Sequence, residues 1–570
     1  MARHRILMTY SSSEGLEKLL QHPDFVVEVK PKPKPEEFVR LIAGYDGLLI
    51  RSEVKVTPEV IQAADRLKVI CRAGTGVDNV DIPAASRKGI IVMNVPGGNT
   101  ISACEHTIGL LMAMMRNIPQ ACAALKTGSW EREKYAGNEL QGKTLGLLGL
   151  GRIGSEVAKR MQAFGMRTIA HDPHVSEDHA RAMGVEMMSM ERVMAEADII
   201  SLHLPKTEST KNLINATTIA KMKDGVRIVN CARGGIVNEA DLATACKTGK
   251  VAAAALDVFE KEPTTQSPLF ELPNVVVTPH LGASTEEAQL KIAQEVSEMF
   301  IDHFIRGITR NAVNIPALDP ETQKKVEPYI PLMEKLGAFQ SRLIEGGVRE
   351  VAISYPGSLQ GANTYLLTAS YLKEFLATFM AAEVNMVSAP VLARERGIKI
   401  QETRVSETGE PAHVVRVRVV TDAETCSVAG AVFGSVCRII EINGMVADIE
   451  PAGHILFFAN EDKPGVIGSI GQTLGKHGIN IERMQVGQEK EKGGNIILLT
   501  TNQPVSGSAL KELTALPSVH KAGGRRHARH RPGGPPELTN FTPDDGITLP
   551  SRASCGCRRA STADPRQHDG

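Results

Sequence analysis

The chain has 570 residues, 42% hydrophobic, with Lys plus Arg equal to Asp plus Glu at 65 each. That length supports several domains with apolar cores, and the charge balance gives no whole-chain argument for nucleic acid or an anionic membrane. The nine cysteines stand singly apart from Cys555-Gly-Cys557, with neither a CxxC pair nor a Cys/His ligand spacing, which argues against a zinc site or disulfide scaffold and fits a reducing cytoplasm.

Residues 1 to about 96 alternate short apolar strands (Arg5–Tyr10, Gly47–Ile50, Lys68–Cys71, Ile90–Asn94) with helices. The βα alternation predicts a parallel sheet. The run Ile6–Tyr10 is too short for a signal-peptide core, and no apolar run approaches a membrane span. A long apolar helix, Ala103–Met115, leads into a second alternating unit over 144–280. Its strands are expected near 144–148, 167–171, 198–202, 226–230, 252–256 and 275–278, making a doubly wound sheet.

The second unit opens on Thr144-Leu-Gly-Leu-Leu-Gly149-Leu-Gly151-Arg-Ile-Gly154. Gly149 permits the tight turn, Gly151 lets a pyrophosphate approach the backbone, and Gly154 lets the helix pack on the strand. Free N–H groups at the helix start complete an anion cradle. A following strand, Arg167–His171, ends in Asp172, where an acidic side chain hydrogen-bonds the adenosine ribose hydroxyls. Pro173 and His174, not Arg, come next, so the cofactor is read as NAD rather than NADP.

Three residues form the candidate catalytic set. Arg233 follows a strand in Asn230-Cys-Ala-Arg-Gly-Gly235. Glu262 lies in Asp257-Val-Phe-Glu-Lys-Glu262-Pro. His280 follows a strand in Thr278-Pro-His-Leu-Gly-Ala283. In an open parallel sheet, ligands bind beyond the carboxyl ends of the strands. A His can take a hydroxyl proton, a carboxylate on its other nitrogen fixes the tautomer, and an Arg can hold a substrate carboxylate. The set suits hydride transfer from a 2-hydroxy acid to a nicotinamide. Residues 284 to about 305 are expected as a helix returning to the first unit, with Ala288, Ile292, Val296 and Phe300 on one face.

After Asn314-Ile-Pro316 the character changes. Residues 317–449 mix helices near 328–345 and 365–381 with β-rich runs such as Val414–Val420, without a catalytic motif. Residues 450–522 read as βαββα, with the beginning of a final strand at Ser518–Ala522. With Asn460-Glu-Asp462-Lys-Pro-Gly465-Val and Gly478-Ile-Asn480-Ile, this unit resembles the ACT regulatory domain. The resemblance implies an amino-acid effector, with Asp462 and Asn480 at its contact positions. Residues 523–570 carry eight Arg and no Lys, with many Gly and Pro. They are expected to be a disordered tail, and a shifted reading frame would explain the abrupt change.

The runs Gly149–Gly154, Asn230–Val237, Ala255–Phe259 and Pro279–Thr285 resemble the D-isomer-specific 2-hydroxyacid dehydrogenases, in their long form carrying an ACT domain. The resemblance spans residues 1 to about 522. It implies oxidation of 3-phospho-D-glycerate with NAD, with L-serine as effector and a homodimer or homotetramer as the assembly. The alternatives are another D-2-hydroxy acid (2-hydroxyglutarate or glyoxylate) or an NAD-sensing binding protein. Carried over from the family, Arg51, Ser52, Arg72 and Gly74 are substrate contacts, and Arg132 reaches a neighbouring subunit's site. Thr75, Arg152, Ile153, Cys231, Ala232, Asp257, Leu281, Gly282 and Ala283 join the glycines and Asp172 as cofactor contacts. The implied fold is α/β. A Rossmann-like NAD domain (97–283) is inserted in a flavodoxin-like substrate domain (1–96 and 284–316). An α+β intervening regulatory domain (317–449) and a ferredoxin-like ACT domain (450–522) follow. The atypical tail puts regulation in doubt, because ACT domains pair edge to edge.

Overall fold

The structure is a computed structural model that describes residues 3–316, 320–380, 384–404, 413–461, 463–488, 494–517, 519–520 and 539–541. The chain divides into two units, Met1–Asp81 with Val92–Val313 and Ile82–Ile91 with Asn314–Gly570.

The first unit contains two doubly wound sheets. Strands β1 (His4–Met8), β2 (Phe25–Val29), β3 (Gly47–Ile50), β4 (Val69–Arg72) and β5 (Ile91–Asn94) lie in the order β2-β1-β3-β4-β5. This is the flavodoxin-like order. The expected strands are present, and β2 is an addition on the sheet edge. The second sheet holds β6 (Thr144–Leu148), β7 (Arg167–His171), β8 (Glu186–Met187), β9 (Ile199–Leu202), β10 (Val226–Asn230), β11 (Val251–Leu256) and β12 (Val275–Val277). Its order is β12-β11-β10-β9-β6-β7-β8, and every pairing is parallel. All five residues of β6 are buried, as a strand covered on both faces requires. The chain leaves β6 for β7 on one side and later returns to β9 on the other. That strand reversal opens the crevice in which such sheets bind ligands.

The returning helix, Glu286–Ile301, is capped by Thr285, whose Oγ1 accepts the Ala288 N–H at 3.2 Å. It buries Ala288, Ile292, Val296 and Phe300. A Cβ on Gly47 would meet the Phe300 ring at 2.8 Å, so glycine there lets the helix lie close against β3.

In the second unit, β13 (Val348–Tyr355), β14 (Lys399–Arg404), β15 (Val414–Thr421), β16 (Thr425–Phe433), β17 (Val436–Ile442) and β18 (Met445–Ile449) form a mixed sheet in the order β14-β13-β15-β16-β17-β18. Helices Ile330–Gln340 and Tyr365–Ala377 pack with it through Leu332, Leu336, Phe339, Tyr371 and Phe375. The last sheet carries β19 (His454–Glu461), β20 (Ile481–Gln488), β21 (Gly494–Thr501) and β22 (Val519–His520), ordered β20-β21-β19-β22. With helices Val466–Lys476 and Gly507–Thr514, this is the βαββαβ ferredoxin-like arrangement. Among the described residues, β22 pairs with β19 through Val519 and His520. Of residues 523–570, the described ones are β23 (Thr539–Phe541). They pair with Phe457–Ile455 on β19.

Candidate active site

The glycine turn matches its expected geometry. Gly149 adopts φ +96°, which an L side chain rarely tolerates, and its N–H donates to the His171 carbonyl at 2.9 Å. A Cβ on Gly154 would strike the Gly149 carbonyl, whereas one on Gly151 would meet nothing within 4 Å. The first glycine shapes the turn, the third packs the helix, and the second leaves the approach to the backbone open. Arg152 and Ile153 begin the helix Arg152–Ala163, so its unbonded N–H groups face that approach. The Arg152 guanidinium donates to the Pro96 carbonyl. At the end of β7, Asp172 accepts the Leu150 and His174 N–H groups, each at 2.9 Å. Its carboxylate is thereby held beside the glycine turn. These residues fit a dinucleotide, with phosphates on the helix start and a ribose at Asp172.

Beyond the ends of β10, β11 and β12, three loops converge. Asn230 is buried; its Oδ1 accepts the Ala232 N–H and its Nδ2 donates to the Arg233 carbonyl, both at 3.0 Å. It therefore folds Cys231–Arg233 into a turn. Burial pushes the Cys231 thiol up to about 12, leaving it protonated at neutral pH. Asp257 is fully buried, and its two oxygens accept from Thr278 Oγ1 (2.6 Å), Leu281 N (2.7 Å) and Gly282 N (2.8 Å), with His106 Nε2 at 3.1 Å. Burial alone would raise its pKa, and these bonds outweigh it and hold it below the usual range. Asp257, expected to touch the cofactor, uses both carboxylate oxygens to shape the Leu281–Gly282 turn.

His280 Nδ1 lies 2.6 Å from Glu262 Oε2, and Glu262 Oε1 accepts the Phe259 N–H at 2.9 Å. Burial opposes ionisation of Glu262, yet the bonds from His280 and Phe259 hold its pKa below the ordinary value. A carboxylate there fixes the Nδ1–H tautomer and leaves Nε2 as a proton acceptor.

Facing these loops from the first sheet, Gly74 at φ +141° turns the chain after β4. A Cβ on Gly74 would overlap the Arg72 guanidinium, and one on Gly76 would overlap that of Arg233. Burial, with Arg233 adding to it, brings the Arg72 guanidinium down to about 10. Arg51 stacks 4.2 Å from the centroid of the Tyr10 ring. The Nε atoms of Arg51 and Arg72 and the Tyr10 hydroxyl are buried without a hydrogen-bond partner among the described residues. Donors held this way can meet an anion. Thr75 turns its hydroxyl to the Asn99 Oδ1 at 2.8 Å, and Ser52 is exposed.

Arg132 does not join this cluster. It is exposed in the short turn Arg132–Tyr135 and makes no ion pair among the described residues. Of the effector positions, Asp462 lies outside the described residues. Asn480 is exposed, and its backbone pairs with Asn502. Sequence reasoning missed Tyr10, Asp78, His106 and Asn230. Tyr10 lies just beyond the end of β1 and Asn230 ends β10, which was the available signal.

Comparison with known proteins finds matches along most of the chain. The family described as D-isomer specific 2-hydroxyacid dehydrogenase, NAD binding domain, matches residues 108–282. The D-3-phosphoglycerate dehydrogenase intervening domain matches 325–443, and the ACT domain matches 454–518. A D-3-phosphoglycerate dehydrogenase of Archaeoglobus fulgidus is 43% identical over 519 residues, covering 90% of this chain and 98% of that protein. One from Bacillus subtilis is 43% identical over 513 residues, covering 89% and 96%. A solved glyoxylate reductase from Paecilomyes thermophila superposes with a TM-score of 0.51 at 30% identity, over 55% of this chain and 99% of that one. The chain is thus an NAD-dependent oxidoreductase, and it belongs to the D-3-phosphoglycerate dehydrogenase family.

Proposed function

We propose that the chain oxidises 3-phospho-D-glycerate to 3-phosphooxypyruvate with NAD, the first step of L-serine synthesis, and that L-serine inhibits it. The observation that carries this reading is the cluster of Arg72 and Arg233 at Gly74 and Gly76 with Arg51 beside it, together with the His280–Glu262 pair. A phosphorylated hydroxy acid brings a carboxylate and a phosphate, and the cluster supplies the cations to meet both.

Bound NAD supplies the acceptor for the hydride leaving C2. Arg233 holds the substrate carboxylate and polarises the C2 oxygen. His280 Nε2 takes the C2 hydroxyl proton, and the Glu262 carboxylate steadies the imidazolium that forms. Gly149, Gly151 and Gly154 cradle the pyrophosphate, and Asp172 takes the ribose hydroxyls. L-Serine would bind the ACT domain near Asp462 and Asn480. The nucleotide-binding lobe would pair with a second copy. Supporting that pairing, Ile118, Leu125 and Trp130 are 52%, 56% and 77% exposed on it. Arg132 would then serve the neighbouring subunit.

The deciding experiment is NADH formation by purified protein with 3-phosphoglycerate and NAD, with and without L-serine, against 2-hydroxyglutarate, glycolate and NADP. Phosphoglycerate-dependent NADH suppressed by serine is expected. Faster turnover of another hydroxy acid would overturn the substrate assignment. Tight NAD binding without turnover of any hydroxy acid would instead make the chain an NAD-binding sensor.

A further inference from the structure

Asp78 stands outside the motif-derived site, yet it touches its central cation. Its Oδ2 accepts from Arg233 Nε at 3.0 Å, across 155 residues of sequence. Arg233 Nη1 donates to the Ala232 carbonyl at 2.6 Å. The remaining nitrogen, Nη2, is the one a Cβ on Gly76 would overlap. Two of the three guanidinium nitrogens are thus committed to the protein, and the third is turned to the Gly74–Gly76 loop.

The post that holds Arg233 is itself fixed. The neighbouring Asn79 donates through Nδ2 to the carbonyls of Arg51 (2.9 Å) and Val54 (2.6 Å). The Val80 N–H closes the loop onto the Val77 carbonyl at 3.0 Å. The Asp78 side chain is 57% exposed, and a pair that open contributes little to stability. Its effect is therefore directional and electrostatic. It restrains rotation of the guanidinium, and it sets a negative charge beside Arg233 and Arg72, where Glu53 also acts.

We propose that Asp78 is a positioning residue for the dehydrogenase. It holds Arg233 through Nε so that Nη2 meets the substrate carboxylate, and its charge keeps small inorganic anions from occupying the guanidinium cluster. This rests on the reading that the cluster receives a substrate carboxylate. Directional bonds from the oriented Arg233 to the substrate carboxylate offset the opposing Asp78 charge, whereas an ion held elsewhere in the cluster meets that charge without them.

The test compares Asp78→Ala and Asp78→Asn with the wild-type chain. It measures kcat and KM for 3-phosphoglycerate, the NADH dissociation constant, sulfate inhibition, and the sulfate-dependent rise in melting temperature of the NADH complex. In Asp78→Ala, kcat should fall by about 10- to 100-fold and KM rise, with NADH affinity kept, because a misplaced binding group costs about that much. Asp78→Asn retains an oxygen acceptor for Nε and should recover part of the lost kcat. Both variants should bind sulfate several-fold more tightly than the wild-type chain. Wild-type values of kcat, KM and sulfate affinity in Asp78→Ala would overturn the proposal. So would parallel loss of turnover and NADH affinity in both variants, since that is the signature of a general structural role. If the wild-type chain does not turn over 3-phosphoglycerate, the functional reading fails. The sulfate-dependent melting shift needs no turnover and still decides whether Asp78 screens the cluster.

Discussion

His280 presents its Nδ1 to Glu262 Oε2 at 2.6 Å while its own backbone sits at φ +60°. A non-glycine residue in that left-handed region costs about 1–2 kcal/mol. The conformation is retained because both ends of His280 are tied. Its N–H donates to the Asp257 carbonyl at 2.9 Å, and its ring is held by Glu262. His280→Asn should lower kcat by about 10²–10⁴ while NAD still binds, the range for loss of a general base. Glu262→Gln should also lower kcat, because an amide oxygen can accept from Nδ1 but offers no charge to an imidazolium. Steady-state kinetics with NADH titration checks both, and wild-type turnover in His280→Asn would remove the proton-acceptor role.

The three glycines of the nucleotide turn should fail differently. A methyl at Gly154 has the Gly149 carbonyl in its way, while one at Gly151 has open space. Gly154→Ala should therefore destabilise the fold, by about 1–3 kcal/mol as overpacking does. Gly151→Ala should leave unfolding unchanged and weaken NADH binding. Denaturation curves alongside NADH fluorescence separate the two. Equal loss of stability in both would mean that Gly151 is a packing residue as well.

Asp172 accepts two backbone N–H groups at 2.9 Å, one of them from Leu150 inside the glycine turn. Asp172→Ala should weaken NAD and narrow the preference over NADP, since the carboxylate that repels a 2′-phosphate is gone. Measuring kcat/KM for both cofactors decides it, and an unchanged ratio would refute the ribose assignment.

Legibility in the sequence followed burial. Strands that are almost wholly buried, such as β6, β9 and β10, are rich in Leu, Ile and Val and match their expected bounds closely. The edge strand β2 was missed because Val26 and Val29 are 42% and 41% exposed and Glu28 interrupts the run. The two-residue β8 carries too short a pattern to register. In the site, groups that follow a glycine motif or end a strand were found from spacing. Asp78 and Tyr10 were not, because each acts through a residue distant in sequence, Arg233 and Arg51. Nothing local to Asp257 signals that its carboxylate accepts the Leu281 and Gly282 N–H groups.

One further residue ties the nucleotide turn to pH. His203 follows β9; its N–H donates to the Leu148 carbonyl at 2.8 Å, and its Nε2 lies 2.9 Å from Ser201 Oγ. Its own carbonyl is the atom that a Cβ on Gly149 would strike, so the histidine forms the floor of the glycine turn. Burial holds its pKa down at about 4. An unfolded histidine titrates at about 6.5, so between these values the unfolded chain binds a proton that the folded chain refuses. The folded state therefore loses stability as pH falls from about 6.5 towards 4, and the loss levels off below the lower value. His203→Gln removes the titrating group and should flatten this part of the pH dependence. Unfolding midpoints of both chains across that window are the check, with NADH affinity followed in parallel. A parallel fall in both chains would assign the acid sensitivity to other groups, such as His303, whose pKa burial also lowers to about 4.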